Sequence, residues 1–489
     1  MGDCVKSSSM DDLPLHIILD ILTSGRLGAV DLVCLELTSR TFWASHGLCP
    51  PKFRSLVDFA AFRLCGSHPI YSSLQDNARS ELYDQCNGNW KRVLRFLQSV
   101  EQSSDMVQTS AGNQMQIKSG NYHTLLINDF RVYSCGSNIC GVLGHGPETT
   151  QCAAFTPIGF PSRARVIQVS ASHNHAAFVT QSGEVFTCGD NVSFCCGHSD
   201  TSRPIFKPKL VEALKHIPCK QVVAGVSFTM FLTNEGHVYT CGLNSQGQLG
   251  HGDTQDRPTP QKVEFPESVS SIVQIAAGPT YGLALTNDGT LFSFGSGTNF
   301  CLGHGEQHNG LQPRAILSLK RKGIHVIRVS AGNEHVVALD SNGHVYTWGK
   351  GYCGALGHGD EIDKITPELL TSIRSHLAVQ VCAGKRKTFV LVDDGSVYGF
   401  GWMGFGSLGF TDRGVSDKIL KPRVLESLKP HHISQVSTAL YHTVVVTNEG
   451  RVLGFGDNER AQLGHDSLRS CLRPTEIFIE GKVVDDARQ

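Results

Sequence analysis

The chain has 489 residues, 40% of them hydrophobic, and a formal net charge of −1. That balance suits a globular fold and excludes a global field that would gather nucleic acid or membrane; no run of about 18 apolar residues is present to cross a bilayer. The opening "MGDCVKSSSMDDLP" has no basic segment followed by an apolar one, so no secretory signal is expected. The 17 cysteines are odd in number and contain no C-x-x-C pair. Most are expected to be buried free thiols of an intracellular protein, nuclear and/or cytoplasmic.

Residues 1–100 read as helical. In "DDLPLHIILDIL", Leu15, Ile18, Leu19 and Leu22 share one helical face, with Pro14 in the first turn and Gly25 as the stop. "LGAVDLVCLELTSRTFW" predicts a second helix with Leu27, Val30, Cys34 and Leu37 inward. "KFRSLVDFAAFRL" and "WKRVLRFLQSV" follow, the latter with a stripe of Trp90, Val93, Leu94, Leu97 and Val100. The stretch Leu13 to Trp43 resembles an F-box, although it lacks the usual Val-Cys-Lys-Arg-Trp close. The resemblance implies docking on the adapter of a cullin–RING ubiquitin ligase, with Leu13, Pro14, Ile18, Leu32 and Phe42 at or behind the interface. A helical cap on the rest of the protein is the alternative.

Residues 101–115, "EQSSDMVQTSAGNQM", read as a linker. From 116 to 489 the sequence repeats. Seven glycines that close a strand, Gly136, Gly189, Gly242, Gly295, Gly349, Gly401 and Gly456, are spaced 52 to 55 residues apart. Each precedes a loop such as "NSQGQLGHG". Each repeat but the first has a turn such as Asp288-Gly289 or Asp394-Gly395, where glycine accepts positive φ; repeat 1 has Phe130 there. With a short proline-bearing strand after each loop, four strands recur seven times. The expected fold is all-β, a seven-bladed β-propeller with a small N-terminal helical domain. Closure is expected from the C-terminal strand "RPTEIFIE" joining "MQIKSGNYHTLLI" in one blade.

These residues resemble the regulator of chromosome condensation repeat family; "AGNEHVVALDSNGHVYTWG" and "GLNSQGQLGHG" match its unit closely. The match covers about 115 to 489, and with the F-box-like head it suggests a plant-type member. One family member is an exchange factor for a small GTPase that inserts a β-wedge, for which the even spacing leaves no room. Another senses ultraviolet light through clustered tryptophans in Gly-Trp-Arg-His-Thr motifs. Here there are four tryptophans, and none lies in the corresponding turns.

The loop histidines His145, His198, His251, His304, His358 and His465 fall one to a blade, on the order of 10 Å or more apart by sheet packing. A shared metal needs bonds of about 2 Å, so a hydrogen-bonded structural role is expected. Cys135, Cys188 and Cys241 align with Trp348, Phe294, Phe400 and Phe455 as core residues. No catalytic motif or cofactor signature is present, and no enzyme is expected.

Binding is sought where the repeats differ. The turns before the second strand carry Asn121-Tyr122, His173-Asn174, Asn333-Glu334, Lys385-Arg386 followed by Lys387, and Leu440-Tyr441. These are expected to share one face and meet a protein partner, the "KRK" run taking an acidic peptide or a phosphate backbone. The overall expectation is a substrate receptor of a ubiquitin ligase, with a chromatin- or small-GTPase-binding regulator as the alternative.

Overall fold

The computed structural model describes residues 13–38, 42, 53–104, 107–109, 112–161, 164–269, 271–410, 417–465 and 467–479. Trp43, at the end of the F-box-like stretch, and the tail "GKVVDDARQ" lie outside them. The chain divides into two units, Met1–Glu101 and Gln102–Gln489.

The first unit is helical. Its described helices are α1 (Leu15–Leu22), α2 (Ala29–Thr38), α3 (Leu56–Ser67), α4 (Pro69–Ser73), α5 (Asp76–Gln85) and α6 (Trp90–Ser104). Ser55 caps α3 by accepting from the Asp58 amide at 3.0 Å. The ring of Trp90 packs on Phe62 and Tyr83 with centroids 4.7 and 4.4 Å apart. Val93, Leu94, Leu97 and Val100 of α6 are buried, as their spacing predicts; Trp90 is half-buried, and Phe96, outside the predicted stripe, is buried as well.

One helix is turned from its expected orientation. α2 buries Ala29 and Leu32, while Val30 is 62% and Leu37 82% exposed and Cys34 is exposed. The apolar residues exceed one stripe, and the stripe holding small Ala29 and Leu32 is the one that meets α3.

The second unit is the seven-bladed propeller. Each blade is an antiparallel sheet in simple sequence order, so each sequence repeat is one blade. In blade 5 the strands are Val326–Ala331, His335–Asp340, Val345–Gly349 and Lys364–Leu369. The innermost strand lines the central channel and the fourth lies outside. Trp348 on the third strand is fully buried, as are Cys135, Cys188, Cys241, Phe294, Phe400 and Phe455 at the matching positions. The hairpin glycines Gly183, Gly236, Gly289, Gly343, Gly395 and Gly450 all have φ between 77° and 85°. Phe130 keeps the same backbone at φ 66°, with the Arg165 guanidinium 3.9 Å from its ring centroid.

Two boundaries differ from expectation. The segment 101–115, read as a linker, holds the last turn of α6, a strand Val107–Gln108 and the start of the strand Gln114–Ser119; the two strands pair in blade 1. The C-terminal strand, Cys471–Ile477, pairs with Val452–Gly456 and completes blade 7. Blade 1 already owns an outer strand, Gln151–Pro157. Among the described residues the terminal segment's backbone pairs with blade 1 at one bridge, between Ile479 and Phe155, and Ile477 joins the apolar cluster of Met115, Ile117 and Phe155.

Closure instead uses side chains. The inner edge of each first strand would leave backbone amides unpaired. At six of the seven joints a glutamine of the preceding blade caps that edge; blade 5 carries Arg328 at the position. Gln168 Oε1 accepts from Val222 N at 2.9 Å, and its Nε2 donates to Val222 O at 3.0 Å. Gln221 holds Ile275, Gln274 holds Val329 and Gln380 holds Val436 in the same way. Gln435 of blade 7 accepts from Ile117 of blade 1 at 2.8 Å, while its Nε2 has no partner among the described residues, so the ring closes with the accepting half of the same clasp.

Candidate functional site: the turn face and channel mouth

The loop histidines are part of the framework. His145, His198, His251, His304 and His358 each place Nε2 2.8 to 3.1 Å from a serine or threonine hydroxyl on the third strand of their own blade. Burial lowers the pKa of each, His198 and His304 to about 4, so the neutral ring is the bonded form. Blades 6 and 7 carry glycine, Gly399 and Gly454, where the others carry the hydroxyl. Accordingly Phe410 replaces the histidine in blade 6, and His465 bonds instead to the Ser467 amide.

A second set of histidines joins blades. His175 Nε2 lies 2.7 Å from the Thr229 hydroxyl, His335 2.8 Å from Thr388, and His442 2.9 Å from Thr124. Each threonine belongs to the next blade, and the last pair joins blade 7 to blade 1.

This register places the variable turns. The first strand climbs to the turn, the second descends and the third returns, so the turns and the Gly-His loops share one face. Asn121, His173, Val226, Pro279, Asn333, Lys385 and Leu440 surround the channel mouth, a depression of about 140 Å³. Asn121 Nδ2 is 2.5 Å from His173 Nδ1, and Tyr122 packs edge-on against His173 at 6.0 Å. Asn174 donates to Asp190 at 3.1 Å. The run Lys320–Lys322 lies at the opposite end, in and after the helix Leu317–Arg321 that precedes blade 5's first strand.

The "KRK" run is split by the fold. Lys385 and Arg386 lie on the turn, but Lys387 is 1% exposed and begins the second strand of blade 6, at the histidine position. It is not a surface cation. Its Nζ is buried without a hydrogen-bond partner among the described residues, and desolvation lowers its pKa to about 7.

Around Tyr441 the structure gathers Tyr352, Phe405 and Trp402, which repeat alignment of the turns does not expose. Lys385 Nζ sits 5.7 Å from the Tyr441 ring centroid and the Arg386 guanidinium 4.9 Å from that of Tyr352. Tyr441 also packs against Phe405 at 5.0 Å and Trp402 at 6.0 Å. Tyr352 and Phe405 are each 48% exposed, and Phe405 is held at φ 58°, unusual for a bulky side chain. Glu334 lies between Arg386 at 3.7 Å and Lys350 at 3.8 Å. Blades 5 to 7 therefore present a cation–aromatic patch. Its sequence signal is the pair of aromatics, Tyr352 and Phe405, in the Gly-His loops.

In the helical unit, Ile18, Leu32 and Phe42 are buried, at 0, 0 and 3% exposure, while Leu13 and Pro14 are exposed. The exposed apolar stripe of α2 is Val30, Val33, Cys34 and Leu37. Among the described residues no helix is long and apolar enough to cross a membrane, and no group of three or more His, Cys, Asp or Glu forms a metal cluster.

The RCC1-like domain family model matches residues 86–377, and the RCC1 repeat matches 394–446 and 449–487. The chain belongs to the RCC1-like propeller family. It is 32% identical to the ultraviolet-B receptor UVR8 of Arabidopsis thaliana over 371 residues, covering 74% of this chain and 81% of the receptor. It is 32% identical to the human E3 ubiquitin-protein ligase HERC2 over 349 residues, covering 69% of this chain but 7% of HERC2. The fold resembles yeast RCC1 (Prp20) bound to Kap60, with a TM-score of 0.64 at 20% identity, covering 72% of this chain and 84% of that one. Human WBSCR16 gives a TM-score of 0.61 at 25% identity, covering 68% and 87%. Trp348 is buried in a strand and Trp402 stands beside Phe405, so these two do not form a tryptophan cluster.

Proposed function

We propose that this protein is a non-enzymatic interaction scaffold: the turn face of the propeller takes a protein target, and the F-box-like helical unit docks on the adapter of a cullin–RING ubiquitin ligase. The observation that carries the first half is the patch of Lys385, Arg386, Tyr352, Tyr441, Phe405 and Trp402. Aromatic and arginine side chains dominate binding energy where partners meet, and cations resting on rings suit an acidic segment with an apolar side chain. Supporting the second half is the α2 stripe. An exposed run of Val30, Val33, Cys34 and Leu37 supports this reading, since exposed apolar stripes suit a docking surface. In the relative HERC2, a ubiquitin ligase by name, the region similar to this chain makes up 7% of that protein.

The test uses the full chain with a purified adapter and, in parallel, a small GTPase. Val30→Asp with Leu37→Asp should abolish adapter capture and leave the propeller melt unchanged. Ile18→Ala, at a buried position, should instead lower the stability of the helical unit. If the unmodified chain captures no adapter at micromolar concentration, the ligase reading fails. Capture of the GTPase alone would favour the regulator.

A further inference from the structure

Below the mouth, the channel widens to a cavity of about 220 Å³ lined by the seven innermost strands. The mouth and this cavity share Ser119, Thr438 and a girdle of alanines, so they are continuous. One residue per blade faces the channel at a common level: Lys118, Ser170, Val223, Ala276, Ser330, Cys382 and Ser437, from blade 1 to blade 7.

The chemistry of that level is one-sided. Ser170, Ser330 and Ser437 each accept a backbone amide of the next blade, from Ala224, Ala383 and Ser119, at 3.0, 2.9 and 2.8 Å. Each hydroxyl is thereby fixed as an acceptor, and its proton is given to no acceptor among the described residues. Lys118 has no carboxylate partner among the described residues. Arg328 lines the cavity two residues deeper and donates to Ile327 O at 2.9 Å. No aspartate or glutamate among the described residues lines the cavity or its mouth. Burial raises the pKa of the Cys382 thiol, which keeps its proton at neutral pH. Blades 5, 6, 7, 1 and 2 thus offer donors to one space, while Val223 and Ala276 make the remaining wall apolar.

We propose that this channel is an oxyanion-binding site, in which Lys118 neutralises a phosphate or carboxylate group and the Ser170, Ser330 and Ser437 hydroxyls donate to its oxygens. A charged acceptor meeting several donors in a confined, partly desolvated space is the strong form of the hydrogen bond. The cavity exceeds the needs of a few waters and admits the anionic group with a short stem, the stem lying against Val223 and Ala276. The site is independent of the turn-face patch and of the ligase reading.

The experiment titrates the full chain with inorganic phosphate, phosphoserine and acetate at constant ionic strength, with chloride as the control, following heat and thermal midpoint. Lys118→Met should weaken the preferred oxyanion at least tenfold. Lys118→Arg should restore most of the binding, and both variants should melt as the parent does without added anion. A preference for phosphoserine over inorganic phosphate would identify the source as a modified side chain, and the reverse a free ion; a preference for acetate would make the group a carboxylate. Equal response to chloride and the oxyanions, or equal affinity in parent and Lys118→Met, overturns the proposal. Should Lys118→Met melt lower, Ser330→Ala supplies the second reading, with a smaller loss of affinity expected.

Discussion

Blades 5 and 6 share strand register and residue spacing but solve the same joint differently. In blade 5, His335 is buried and reaches Thr388 of blade 6 at 2.8 Å. That hydroxyl in turn donates to Ala355 O at 2.8 Å. In blade 6 the equivalent residue is Lys387, which meets no acceptor among the described residues. Thr443 of blade 7 still donates to Ser407 O at 2.8 Å, but its second neighbour is the Thr438 hydroxyl, also at 2.8 Å. The backbone tolerates either arrangement because strand ladders and core rings carry the ring. The joint residue is free to vary, and with it the pH response of the joint.

The largest effect is expected at Lys387. Its folded pKa of about 7 lies below its ordinary 10.5, so between those values the unfolded chain holds more protons. Stability therefore rises with pH through this window and is lowest below about pH 7. In the folded state the groups felt at the site keep their protonation between pH 6 and 9: Cys382 is pushed up and His442 down to about 3. The parent should gain about 2–3 kcal/mol between pH 6 and pH 9 from this group. Lys387→Met should remove that gain and be the more stable protein at pH 6, as measured by urea unfolding with the propeller signal. Lys387→His should rebuild the blade 5 joint with Thr443. A parent and a Lys387→Met variant whose stability difference does not change between pH 6 and pH 9 would mean the two joints are electrostatically alike.

The next effect is at the blade 5 joint. Burial lowers His335 to about 4 from its ordinary 6.5. The unfolded state takes up the proton first, so the stability that His335 contributes is lost as pH falls from 6.5 through 4. His335→Phe has a precedent in Phe228 of blade 3, buried at the same position. At pH 7 it should cost about 1–2 kcal/mol for the lost hydrogen bond. Near pH 4.5 the deficit should shrink, because phenylalanine takes up no proton. A deficit that stays constant across pH would assign the loss to packing alone.

The contrast also separates what is legible in the sequence from what the fold adds. Strands and hairpins are legible because β-branched runs and turn glycines recur at one period, and the core cysteines because they stand where Trp348 and Phe400 stand. Lys387 misleads: three consecutive cations look like solvated surface, yet the strand begins at the third, and the repeat's histidine position goes inward. The glutamine clasp is silent, although Gln168, Gln221, Gln274, Gln380 and Gln435 occupy one aligned column. A single polar residue in a strand gives no sign that its partner is the next blade's backbone. The buried face of α2 is ambiguous because its apolar residues form two stripes, and only packing on α3 selects one. The closure is expected a strand out of phase because a repeat can be cut at any strand without altering its period.

The smallest change in stability is expected on the turn face, where the largest change in binding is proposed. Blade 5 carries Asn333-Glu334 where blade 6 carries Lys385-Arg386, so Lys385→Asn with Arg386→Gln moves blade 6 toward its neighbour in charge. The double substitution removes two cation–ring interactions and the 3.7 Å ion pair with Glu334. All lie on the partly solvated face, where such interactions contribute about 0–1 kcal/mol each. The urea midpoint should therefore shift little. Binding of an acidic target should weaken tenfold or more and lose much of its salt dependence, because two cations leave a surface screened within about 10 Å at 0.1 M salt. Phe405→Ser should weaken binding with the salt dependence kept, since it removes a ring and no charge. Unchanged affinity at low salt in the double variant would move the partner off blades 5 to 7 and leave Lys385 and Arg386 as ordinary surface residues.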